Sequence, residues 1–211
     1  MNLPRPKILW NDSLEEGPAV VAAAHASLAW QLRSAALGLH AVMALPFAAE
    51  DFERVPAAAL PGRAAALADP PHLAMSESTL GGQVVSLVVG RPGDVVLEHG
   101  PGLDPGMPSA DGSMRMYICL RDIDLRRAMC AAATASVQCF WQFRTDLHMR
   151  QWASGTFHKT VCRVTTGELA RAMREPDHVV LHDPLSGEPI GLAFCPRPSW
   201  GRCFRYFALF R

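Results

Sequence analysis

The sequence predicts an α/β protein: two similar small mixed-sheet domains flanked by helices, arranged as an intramolecular pseudo-dimer. Three observations carry that expectation. Apolar strand-like stretches alternate with alanine-rich helical ones. A Gly/Pro-rich stretch divides the 211-residue chain near its middle. The segments on either side of it repeat one another. With 49 % hydrophobic and 19 % charged residues, the chain has ample apolar surface for a core, which excludes disordered and collagen-like classes.

The divider runs from His99 to Arg115. Its four glycines and three prolines propagate neither helix nor ladder, so it reads as a linker between a first domain over 1–98 and a second over 116–211. Three matches relate the halves. Ala22–Ser27 lies over Ala131–Ser136, each followed by a tryptophan, Trp30 or Trp141. Leu39-His40, an apolar run and Glu50-Asp51 lie over Phe157-His158, an apolar run and Glu168. His72–Pro92 lies without a gap over His178–Pro198, which sets Glu77 against Asp183 and Gly81 against Gly187. Shared order and spacing make this a tandem duplication with drift.

Each half then reads alike. A strand opens it, at Lys7–Asn11 and Met116–Leu120. An alanine-rich helix follows over Pro18–Arg33 and Arg126–Phe143, with apolar residues at helical spacing. A second strand is expected at Leu39–Leu45 and His158–Val164, then a short helix opened by acidic residues near Ala48–Val55 and Thr166–Arg174. Two more strands flank a polar turn: Leu73–Ser76 with Gln83–Val89, and Val179–His182 with Pro189–Cys195. Cys203–Phe210 alternates and is expected to add one last strand.

The net charge of zero conceals an asymmetry. Up to Gly112 there are 6 basic against 12 acidic residues; from Ser113 there are 14 against 8. Oppositely charged halves suit two modules that dock, or one that faces an anionic partner. No run approaches the ~18 unbroken apolar residues of a membrane span, and no apolar leader precedes Ile8, so a cytoplasmic protein without a membrane partner is expected. All six cysteines lie in the second half without a Cys-x-x-Cys motif, and read as small buried hydrophobes.

Leu120-Arg121-Asp122-Ile123-Asp124-Leu125, the Ala131–Ser136 helix, Leu181-His182-Asp183 and Ile190–Pro196 follow one another in an order that resembles the type II peptidyl-tRNA hydrolases. The first half offers Ile8–Asp12, Gly17-Pro18, His25-Ala26 and Glu77 in the same order. The resemblance covers nearly the whole chain outside the linker. It implies small mixed sheets that pair as dimers, a pairing two tandem copies would reproduce within one chain. It also implies ester hydrolysis on a tRNA-linked or small acyl substrate, without a cofactor.

The departures are specific. The family lysine falls on Pro18 and Arg127, the glutamine on Ala22 and Ala131, the histidine on His25 and Thr134, and the threonine on Gly81 and Gly187. Neither half holds the full set. Ester hydrolysis needs an oriented water, a proton acceptor and donors at the developing oxyanion. Asp183 as base with Arg127 as cation would supply these in the second half. His25 and Glu77 would do so in the first, without a cation.

His182 and Arg121 flank the second constellation as candidate substrate contacts. Arg202 and Arg205, interleaved with Trp200, Phe204 and Tyr206, form a candidate surface for neutralising phosphates and stacking bases. The same pattern suits an edge strand with aromatics inside and arginines in water. Asp183 also suits a turn, and His25 an alanine-rich helix face. His178 and His182 share one side of a strand but lack a third ligand, so no metal is expected. Neither a nucleophile elbow nor a phosphate-binding glycine loop is present. Three functions remain open: a hydrolase, a non-hydrolytic homologue binding a small molecule, RNA or protein, and other small-molecule chemistry between the halves.

Overall fold

The structure is a computed structural model that describes residues 7–11, 16, 17, 19–21, 23, 24, 27, 28, 52–56, 59, 74–80, 83–90 and 114–210. The fold is α/β. Two mixed sheets are present among these residues, one from each half.

The first sheet has the order β2-β1-β4-β3, from β1 (Lys7–Asn11), β2 (Phe52–Val55), β3 (Ala74–Leu80) and β4 (Gln83–Gly90). β1 runs parallel to β2, with Ile8 opposite Phe52, and antiparallel to β4, with Ile8 opposite Val88. Two expectations are corrected here. The short helix near Ala48–Val55 is, over Phe52–Val55, strand β2: pairing with β1 satisfies its backbone and outweighs the helix-start signal of Glu50-Asp51. The strand expected to stop at Ser76 continues to Leu80, so that Gly81-Gly82 alone separates β3 from β4. The strand expected at Leu39–Leu45 lies outside the described residues.

The second sheet has the order β7-β8-β5-β6-β9. β5 (Met116–Arg121) leads through α1 (Leu125–Phe143) and α2 (Leu147–Ser154) to β6 (Lys159–Val164), which pairs parallel to β5. α3 (Thr166–Ala172), β7 (His178–His182) and β8 (Pro189–Phe194) follow, and β8 returns antiparallel beside β5. Local signals explain the helix starts. Asp124 caps α1 by accepting from the Arg127 N–H, and Asp146 caps α2 through the His148 and Met149 N–H groups. Thr165 and Glu168 form a reciprocal capping box at α3. α2 was not expected from the sequence.

The last expected strand is also corrected. Arg202–Arg205 is a 3₁₀ turn, and β9 is the two-residue Ala208–Leu209, paired with β6. Phe204 and Phe207 are buried on the face opposite α1, whereas Phe210, after β9, is buried in the α1 cluster, so the segment crosses the sheet edge and does not run on as one strand. The linker's last two residues are already docked: Met114 is buried and Arg115 bridges to Arg197.

Strand alternation divides the second sheet into two buried faces. Met116, Ile118, Leu120, Val161 and Ala193 lie in the cluster that contains α1. Cys119, Cys162, Val164, Leu192 and Phe194 point the other way, into a cluster with Leu169 of α3, Phe204 and Phe207. The α1 cluster also takes in Ala19, Val20, Ala23, Ala24 and Leu28, all wholly buried. The first half's alanine-rich helical segment thus completes the core of the second, and Glu16 at its start pairs with Arg163 at 3.3 Å.

Candidate functional site at the sheet edge

Because β5 and β6 are parallel, both end at one edge of the sheet, where α1 and α3 start. The turn from β7 to β8 reaches the same edge. Asp183 opens that turn and shapes it. Its N–H donates to Glu188 O, its carbonyl accepts from Gly187 N, and its Oδ1 accepts from Leu185 N at 2.9 Å. Gly187 takes φ +71°, a left-handed conformation that favours glycine and completes the turn.

The turn brings Asp183 Oδ2 to within 2.5 Å of the Arg127 guanidinium in the first turn of α1. A cation there opposes the helix dipole, and the carboxylate relieves that opposition. Asp183 is mostly covered, its side chain 14 % exposed, whereas that of Arg127 is 49 % exposed. The Leu185 N–H is the largest influence on the Asp183 carboxyl; burial opposes it, and the charge and hydrogen bond of Arg127 and the Ser186 N–H add to it, so that the carboxyl is held below the usual aspartate range.

Both Asp183 oxygens are therefore engaged. Arg127 Nη2 and Asp183 Oδ2 meet directly, closer than a bridging water allows. The arrangement can instead present an arginine, held by one carboxylate and otherwise open, to an anion.

The other candidates divide sharply. Arg121, at the end of β5, pairs with Glu188 of the turn at 3.1 Å and belongs to this edge. His182 closes β7 and donates from Nδ1 to Gly187 O at 2.9 Å. Arg202 and Arg205 are exposed on the 3₁₀ turn, whose Phe204 packs on the face opposite α1. They do not join Arg127. Glu77 lies inside β3 opposite Leu87, unlike Asp183, which follows its strand. His25 lies outside the described residues. Among the described residues no group of three or more His, Cys, Asp or Glu is arranged to hold a metal, and no helix is long and apolar enough to cross a membrane.

Sequence reasoning missed Lys159, at the other end of the sheet. Its stem is partly exposed, but its Nζ is buried and lacks a hydrogen-bond partner. The amine sits 3.7 Å over the Phe157 ring and 4.8 Å over Trp152. Desolvation pushes it well below the usual lysine range. A lysine opening a strand reads as solvent-facing; the neighbouring Trp152 and Phe157 were the available signal. No family model, curated protein or solved structure matches the chain.

Proposed function

We propose that the chain is a non-hydrolytic binding protein, made of two diverged copies of an α/β unit similar to the type II peptidyl-tRNA hydrolases. Its second half takes an anionic ligand at the Arg127–Asp183 edge, with tRNA the form that the resemblance suggests. The direct Arg127–Asp183 contact carries this reading, because it occupies the acceptor a hydrolase would need and leaves half of the arginine open.

Pairing order supports the duplication. In the first half β1 is flanked by a parallel β2 and an antiparallel β4, with β3 outside β4. In the second, β5 is flanked by a parallel β6 and an antiparallel β8, with β7 outside β8. Helix burial supports it too. Ala19, Val20, Ala23, Ala24, Ser27 and Leu28 are buried, as are Ala128, Met129, Ala132, Ala133, Ser136 and Val137, which the repeat aligns with them. The basic balance of the second half suits an anionic partner.

Turnover tests the non-hydrolytic part. The parent protein and Asp183→Asn are assayed on peptidyl-tRNA and on esters of N-blocked amino acids. Both are expected to match the buffer rate. Turnover by the parent that falls about 10²–10⁴-fold in Asp183→Asn would restore the general base and overturn the reading.

A further inference from the structure

Cys119 of β5 and Cys162 of β6 stand directly opposite each other in the parallel register. Their thiols hydrogen-bond to one another, and both are buried in the cluster formed with Leu192, Phe194 and Phe204. Paired strands run ~4.8 Å apart, inside the ~4.4–6.8 Å Cα separation that a disulfide spans.

We propose that Cys119 and Cys162 are a reversible oxidation site, which hydrogen peroxide converts into a cross-strand disulfide. In the first step the Cys162 thiolate attacks one peroxide oxygen. The O–O bond breaks, the departing oxygen leaves as water after taking a proton, and Cys162 becomes a sulfenic acid. In the second step the Cys119 sulfur attacks that of Cys162, the S–S bond forms and a second water leaves. Two thiols are oxidised and one peroxide is reduced to two waters. A small thiol reverses the change by exchange.

The two thiols are not equivalent. The hydrogen bond from Cys119 lowers the Cys162 pKa despite burial, and the same interaction raises that of Cys119. Cys139 and Cys195 are both pushed up by burial, the latter to about 12, which makes them poor nucleophiles. The lid over the pair is short. Phe204, on the four-residue turn Arg202–Arg205, covers this face, and Cys203 on the same turn is only partly buried. Opening that turn admits a molecule as small as hydrogen peroxide.

The full chain is treated with hydrogen peroxide, alkylated with N-ethylmaleimide in denaturant and digested without reduction. A peptide joining Cys119 to Cys162, two hydrogens lighter than its parts, is expected. It should disappear with dithiothreitol and persist in Cys203→Ser. In Cys119→Ala, dimedone should label Cys162 as the trapped sulfenic acid. Full alkylation of Cys119 and Cys162 after peroxide overturns the proposal, as does a linkage that runs to Cys203 instead.

Discussion

Trp152→Ala is expected to destabilise the protein by about 3–5 kcal/mol, the range for truncating a buried aromatic, and to lower Tm on the order of 10 °C. Trp152 is wholly buried in the α1 cluster. Its ring stacks on Phe157 at 4.7 Å, and its Nε1 donates to His158 O at 2.8 Å. That carbonyl also accepts from Met116 N, so the indole ties α2 to the first pairing of β5 with β6. Phe157 itself holds φ +50°, a left-handed conformation costly for an aromatic residue, and the stack helps to hold it there. Thermal and urea unfolding followed by circular dichroism measure the loss. A change below about 1 kcal/mol would mean that this end of the sheet does not bear on the core.

Lys159→Met is expected to act in the opposite direction, stabilising the protein at neutral pH by about 1–3 kcal/mol through removal of an unpaired buried amine. The sign follows from proton binding. Between the depressed folded pKa and the unfolded value near ~10.4, the unfolded chain holds a proton that the folded chain does not. Raising the pH through that window removes the unfolded state's advantage, so parent stability climbs toward pH ~10. The gap between variant and parent narrows over the same range. Denaturant midpoints from neutral to alkaline pH measure both effects. Loss of stability in Lys159→Met at neutral pH would show that the Phe157 and Trp152 faces hold a charged ammonium more strongly than desolvation opposes it.

Lys159 illustrates where sequence reading stops. A strand's first residue gives no hint of burial; the turn through Phe157 and the stack with Trp152 decide it. The helix starts were more legible, because Asp124 and the Thr165–Glu168 box act within a few residues of themselves. The α2 start carries the same kind of signal, Asp146 ahead of Met149, Trp152 and Ala153, but over only eight residues. Phe52–Val55 was misread because its strand character comes from pairing with a segment over 40 residues away. The C-terminal segment alternates in sequence, but it pairs as a strand only at Ala208–Leu209, because Phe204 packs from a 3₁₀ turn on one face and Phe210 in the cluster of the other.

The site was legible in the same uneven way. Arg127 and Asp183 are 56 residues apart, yet each sits at an element boundary that the sequence marks, so their convergence on one edge could be expected. Whether a water fits between them depends on an ångström of separation that no pattern encodes. Arg202 and Arg205 were linked to the site by composition alone, and the two-faced sheet separates them from it.

Binding of labelled tRNA by fluorescence anisotropy, over a salt series and with Asp183→Asn and Arg127→Ala beside the parent, tests the central claim most directly. Asparagine can keep the turn by accepting from Leu185 N while removing the charge that competes for Arg127. The account therefore predicts tighter binding for Asp183→Asn. It predicts weaker binding for Arg127→Ala, with the salt slope smaller by about one. Unchanged tRNA affinity in both variants, or no binding by the parent at low salt, would contradict it.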